Sequence, residues 1–228
     1  PCQAFSYAGK KLGLADARGT LFYEFARVVQ QVNPLICIGE NVRGLLSHEG
    51  GKTLKGMISI LDEIGYNVVP VNVLKAVNYK VPQKRERLIL VGVRKDINVQ
   101  YEYPKPYKKT YTLKDALKKG ELFSSNVPKS VGSKYPKSKI EVLDLVPPKG
   151  YWRDLPLKIQ KKFMGGSFYL GGGKTGIARR IGWDEACLTL TCSPAQKQTE
   201  RCHSDETRPF TVREYARIQT FPDWYQFR

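Results

Sequence analysis

Leu35-Ile36-Cys37-Ile38-Gly39-Glu40-Asn41 is the stretch on which the reading of the fold turns. Four apolar residues closed by glycine, an acid and an amide have strand length rather than helix length. They predict a strand buried on both faces with Glu40 at its carboxyl end. Upstream, Leu21, Phe22, Phe25, Ala26, Val28 and Val29 recur at helical spacing until Asn33-Pro34 stops them. Downstream, Leu54, Met57, Ile58, Leu61 and Ile64 repeat the helical pattern over Thr53 to Ile64, and Gly65 suits the C-terminal cap. Val68, Val69, Val71, Val73 and Leu74 then read as one strand, and Leu88 to Val93 as another continuous apolar run. This alternation predicts an α/β fold with a doubly wound, mostly parallel sheet, its last two strands following one another with no helix between them.

Reactive side chains fall at the ends of these runs. Cys2 stands in Pro1-Cys2-Gln3-Ala4-Phe5-Ser6, beside a segment punctuated by Gly9, Gly13 and Gly19 that reads as an exposed loop able to close over a substrate. Gln83-Lys84-Arg85-Glu86-Arg87 precedes the Leu88 run. A nucleophile, a carboxylate and two arginines at strand ends make a candidate active site of a parallel α/β sheet.

Composition narrows the partner. The 228 residues carry a formal charge of +17, and ten lysines lie between Lys105 and Lys139 against only Asp115 and Glu121. Such a field favours a polyanion, and without a long apolar span or an amphipathic basic helix nucleic acid is favoured over a membrane. The bland alternative is a merely soluble, lysine-rich face. An odd set of cysteines, at 2, 37, 187, 192 and 202, fits a reducing cytoplasm. Cys187, Cys192, Cys202 and His203 lack the paired spacing of structural zinc sites, and Cys187 and Cys192 read as strand residues, so no metal is expected.

Beyond Arg94 the prolines at 104, 106, 128, 136, 147 and 148 and the poor periodicity indicate a smaller, loop-rich module with weak strands. Gly171-Gly172-Gly173-Lys174-Thr175 is not a nucleotide-triphosphate loop, because Phe168 stands where that loop needs its first glycine. A turn or DNA-facing loop carrying Lys174, Arg179 and Arg180 is the better reading. Thr189-Leu190 reads as a strand, and Thr211 with Glu214 as the capping box of a helix that Phe221-Pro222 ends.

The blocks Pro1-Cys2-Gln3-x-Phe5-Ser6, Glu40-Asn41-Val42, Gln83-x-Arg85-x-Arg87 and Arg208-Pro209-Phe210-Thr211-x-Arg213-Glu214 with Ala216-Arg217-Ile218-Gln219 and Phe221-Pro222-Asp223 occur in this order. Together they resemble the DNA (cytosine-5) methyltransferases of bacterial restriction-modification systems. The resemblance implies a Rossmann-like sheet, here partial, with a catalytic part over 1–98, a target-recognition part over 99–207, and a segment over 208–228 returning to the catalytic part. It also implies S-adenosylmethionine as cofactor, touched by Pro1 and Leu21, and double-stranded DNA as partner.

By the same resemblance Cys2 attacks carbon 6 of a flipped cytosine, Glu40 engages ring nitrogen 3 and Arg87 steadies oxygen 2, with Arg85 as support. Ser6 and Thr189 hold phosphates, and the region from Lys174 to Arg180 reads bases. Arg208 and Arg213 are similar to the block that ties the recognition part back to the sheet. The family's glycine-rich turn, acidic ribose-binding residue and C-terminal asparagine block have no counterpart in this chain. The chain alone is therefore expected to be inactive, a partial record of an enzyme or one whose complementary chain supplies those motifs. An RNA cytosine-5 methyltransferase and a non-enzymatic DNA-binding subunit are the rival readings.

Overall fold

The computed structural model describes residues 21–170, 176–196 and 199–227. The chain divides into two compact units, one of Pro1–Lys75 with Glu86–Pro106 and one of Ala76–Arg85 with Tyr107–Arg228. In chain order the first elements are α1 (Leu21–Val32), β1 (Ile36–Asn41), α2 (Lys52–Glu63), β2 (Tyr66–Val68), β3 (Asn72–Lys75), β4 (Gln83–Lys84) and β5 (Glu86–Arg94). Of these, β4 belongs to the second unit.

Helix α1 buries Phe22, Ala26 and Val29, one face of the predicted periodicity. It ends where Asn33 enters the left-handed region at φ 46° and donates its N–H to the Val29 carbonyl, just ahead of Pro34. Helix α2 buries Thr53, Leu54, Met57 and Leu61. Gly65, at φ +95°, follows it in a conformation that side chains resist.

Strand β5 is the axis of the first unit. It pairs with β1 from Ile36↔Val93 to Asn41↔Leu88, with β2 from Tyr66↔Arg94, and with β3 from Asn72↔Ile89 to Lys75↔Glu86. Leu88, Leu90, Val91 and Val93 are all buried, as a continuous apolar run requires. The expected α/β class is present, and β3 and β5 pair as neighbours, although a short 3-10 helix, Ala76–Tyr79, and β4 stand between them in sequence. What differs is pairing direction, since each ladder of this sheet is antiparallel. The reason is positional: β1 and the β2–β3 edge run the same way, and β5 returns through the slot between them.

Two further expectations change. The Val68 to Leu74 strand is two strands, broken around Pro70, which has no N–H to donate to β5. Strand β1 is buried on one face only. Cys37 and Asn41 point inward, whereas Ile36 and Ile38 are 42% and 60% exposed among the described residues. Its core partners are Phe22, Val29, Leu54, Met57 and Tyr66.

The second unit adds α3 (Leu113–Leu117), α4 (Lys137–Leu143), α5 (Leu157–Met164), β6 (Arg179–Arg180), β7 (Cys187–Leu188), β8 (Arg201–Cys202) and α6 (Val212–Ile218). Its ladders are two residues long, with β4 parallel to β7 and β6 parallel to β8. Helix α6 carries the expected box, Thr211 capping it and Glu214 answering the Thr211 N–H at 2.7 Å. Cys187 lies in β7, but Cys192 sits on an exposed bend rather than in a strand. Burial pushes the Cys187 thiol up to about 12 and Cys202 up to about 11. Among the described residues no three His, Cys, Asp or Glu side chains converge as a metal site would need, and no helix is long and apolar enough to cross a membrane.

Candidate active site

The β1–β5 register sets Glu40 opposite Ile89. Arg87, two residues before Ile89, therefore shares the face of Glu40 as its diagonal neighbour across the ladder. Its Nε donates to Glu40 Oε1 at 2.7 Å, and its Nη1 donates to the Glu86 carbonyl at 2.7 Å. The guanidinium is thus fixed from two sides with Nη2 left over. Arg87 is mostly buried, at 22% side-chain exposure, while Glu40 is half exposed at 48%, so the carboxylate is reachable and its partner is held by the sheet. Glu86 has a different use: Arg43 lies 3.0 Å and Lys75 3.5 Å from its carboxylate.

Asn41 gives β1 its end. Buried on the opposite face, it accepts the Val42 N–H through Oδ1 at 2.8 Å and turns the chain into the 3-10 segment Arg43–Gly51. Sequence reading placed Asn41 in the site only as the neighbour of Glu40; an amide directly after a strand is the signal for this turn-forming role. Glu40 also borders a cavity of about 160 Å³ whose walls include Leu21, Phe22, Phe25, Met57 and Leu88. Leu21 is thereby set beside Glu40, at the start of α1.

The other sequence candidates are distributed otherwise. Pro1, Cys2, Ser6 and Lys174 lie outside the described residues. Arg85 falls in the second unit, where its N–H donates to the Gln83 carbonyl and its carbonyl accepts from Ala76. Thr189 donates its hydroxyl to the Lys84 carbonyl at 2.8 Å, tying the end of β7 to β4.

Arg179 and Arg180, expected to read bases, are both engaged within the second unit. Both oxygens of Glu185 accept from Arg179 Nη2, at 2.8 and 2.7 Å, and its Nη1 donates to the Lys149 carbonyl. Arg180 is 5% exposed. Its guanidinium donates to the carbonyls of Val146, Leu143, His203 and Ser204 and to Thr207 Oγ1. A head group with that many internal acceptors is not available to a base edge. Arg208 is likewise internal, forked between Glu206 and Glu214, and Arg213 donates to the Pro222 and Tyr225 carbonyls.

The sequence pattern of the C-5 cytosine-specific DNA methylase family matches residues 1–228. The chain is 65% identical over 229 residues to the Type II methyltransferase M.Eco47II of Escherichia coli, covering 100% of this chain and 55% of that protein. It is 57% identical over 230 residues to M.PspPI of Psychrobacter sp. (strain TA137), again covering 100% of this chain and 55% of the relative. The chain thus spans about half the length of the curated relatives it matches. A DNA modification methyltransferase encoded within an E. coli prophage has a similar solved structure, with a TM-score of 0.59 at 23% identity over 93% of this chain and 66% of that one. The Entamoeba histolytica methyltransferase EhMeth gives a TM-score of 0.58 at 14% identity over 99% and 67% of the two chains. Both likenesses concern the fold, and both are to methyltransferases.

Proposed function

The chain belongs to the C-5 cytosine-specific DNA methylases, and from that membership we propose that the protein carrying it transfers a methyl group from S-adenosylmethionine to carbon 5 of a cytosine flipped out of duplex DNA, as part of a bacterial restriction-modification system. Catalysis is assigned to 1–98, target recognition to 99–207 and the return to the catalytic part to 208–228. The observation that carries the reading is the contact between Glu40 and Arg87. Ring nitrogen 3 and oxygen 2 are neighbours on one edge of cytosine, so the groups that grip them must be neighbours too.

The chemistry assigns each side chain a task. Carbon 5 of cytosine is too poor a nucleophile to take a methyl group unaided. The Cys2 thiolate adds to carbon 6 while Glu40 shares a proton with nitrogen 3 and Arg87 neutralises the charge gathering on oxygen 2. Carbon 5 then carries the electron pair that takes the methyl, after which its proton leaves and the carbon–sulfur bond breaks to return the thiolate. S-adenosylmethionine, when bound, supplies the electrophilic methyl. The apolar cavity wall at Leu21 and Phe22 fits an uncharged part of that cofactor, and Pro1 is its other proposed contact. The glycine-rich turn and acidic ribose partner would come from a further segment or a complementary chain. Flipping the base costs a few kcal/mol, which phosphate contacts offset, such as those proposed for Ser6 and for Thr189, whose hydroxyl would first have to leave the Lys84 carbonyl.

The test is a duplex carrying 5-fluorocytosine at the target position, incubated with the protein and cofactor. Fluorine cannot leave as the proton does, so a covalent protein–DNA complex should accumulate, and Cys2→Ala should abolish it while leaving DNA binding in place. Absence of any adduct across duplexes of varied sequence would overturn the reading. An adduct on transfer RNA alone would move the substrate to RNA.

A further inference from the structure

With Arg179 and Arg180 engaged internally, the exposed cationic charge of the second unit rests largely on its lysines. We infer that the outer face of α5 is a phosphate-backbone contact for duplex DNA, made by Lys158, Lys161 and Lys162. This rests on the reading of the protein as a DNA methylase. Positions i, i+3 and i+4 of an α-helix fall within an arc of about 100°, with neighbouring Cβ atoms about 5–6 Å apart. All three lysines are exposed. On the other side of α5, Met164 is buried and Ile159 and Phe163 pack into the core around Trp152 and Leu143. The helix is anchored by that apolar side, so its lysine side faces outward.

The arrangement is costly without an outside partner. Like charges at these spacings weaken a helix, and none of the three enters an ion pair among the described residues. Several other lysines of the unit are engaged, Lys109 with Glu121, Lys149 with Asp184, Lys139 with Glu200, and Lys118 over the Trp183 ring at 4.6 Å, and exposed ones such as Lys129 and Lys134 lie outside helices. No other described helix of this unit sets three lysines at this spacing. The counter-charge that fits a chain of net charge +17 is a polyanion, and mobile ammonium groups on a rigid face suit a row of phosphates rather than base edges.

The test measures duplex affinity across a potassium chloride series for the unaltered protein, for the triple variant Lys158→Gln, Lys161→Gln, Lys162→Gln, and for the corresponding triple Lys→Arg variant. Each phosphate contact removed should flatten the slope of log affinity against log salt by about 0.9. Affinity of the Gln variant should drop by about tenfold or more at low salt, to the same extent on cognate and unrelated duplexes, because lysines hold the backbone without reading sequence. The Arg variant should retain both slope and affinity. Unchanged slope and affinity in the Gln variant, with the unaltered protein binding normally, would overturn the α5 assignment alone. An unaltered protein that binds no duplex at any salt would overturn the DNA reading and this inference with it. A drop confined to the cognate duplex would also count against the inference, since it would make α5 a sequence reader.

Discussion

The two units hold their backbones together by different means. In the first, the nine residues of β5 are laddered on both edges, and the buried interior is mostly apolar, with Asn41, His48 and Thr53 the buried polar side chains among the described residues. In the second, the described strands are two residues long, and arginines supply much of what a sheet would. Arg180 gathers carbonyls from the C-terminal end of α4 and the turn that follows it, and from the segment after β8. Arg217, at 0% exposure, holds Asp223 and both the carbonyl and hydroxyl of Ser125 while lying 4.3 Å over the Phe123 ring. A module without long strands can still be ordered if planar five-donor groups satisfy its loop carbonyls. The difference also bears on the proposed roles: in the first unit Arg87 carries fewer internal bonds, as the role proposed for it requires, whereas in the second Arg180 and Arg217 are bound up in holding loops.

The comparison is broken most severely by deleting a buried guanidinium. Arg180→Met and Arg217→Met should each cost about 3–5 kcal/mol by leaving loop carbonyls or Asp223 unpaired, measured by denaturant unfolding followed through the tryptophans, all of which lie in the second unit. A loss below about 1 kcal/mol would show that the arginine network is incidental. The first unit should instead be vulnerable to volume. A Cβ on Gly92 would stand 2.7 Å from Cys37 Sγ and 3.4 Å from Tyr66 Cβ, so Gly92→Ala should cost about 1–3 kcal/mol through overpacking. Cys37→Gly in the same chain should recover part of that loss.

Acid should sharpen the contrast more gently. Burial lowers the His203 pKa, outweighing the pull of Glu214, and its Nδ1 accepts the N–H groups of Asp205 and Glu206 at 3.3 Å each. Burial pushes the Glu214 carboxyl up, but the Arg208 fork and the Thr211 N–H together outweigh it and hold the carboxyl below its usual range. Both groups bind protons less readily folded than unfolded. Stability is therefore complete above the unfolded histidine value of about 6.5 and declines as pH falls below it, with Glu214 adding to the loss below about 4.3. Unfolding at pH 7.5 and 5.5 should show this slope, and His203→Asn should flatten the upper part of it. An identical slope in the variant would assign the acid sensitivity to other groups.

How much the sequence disclosed follows the same division. Helices α1, α2 and α6 were legible because each writes its period or its cap within a dozen residues, as Phe22-Ala26-Val29 and Thr211-Glu214 do. Glu40 and Arg87 were legible as strand-end residues and as matched family blocks, but their contact depends on the β1–β5 register, which no local pattern encodes. The single-sided burial of β1 was hidden for the same reason, because Ile36 and Ile38 spell a core strand whether or not anything covers them. Pro70 held the signal for the break between β2 and β3, but the valines around it spell a single strand. Arg180 could not be read at all: its acceptors Leu143, Val146 and His203 are distant in sequence, and beside Lys174 and Arg179 it looks like any basic loop.

The most direct measurement is the rate of covalent adduct formation on 5-fluorocytosine duplex by Glu40→Gln, taken together with its unfolding free energy. The half-exposed pair with Arg87 should contribute under about 1 kcal/mol to stability, so the variant should fold and bind DNA normally. If Glu40 shares its proton with the target ring, adduct formation should slow by about 10²–10⁴-fold. A Glu40→Gln protein that forms the adduct at the unaltered rate would contradict the account.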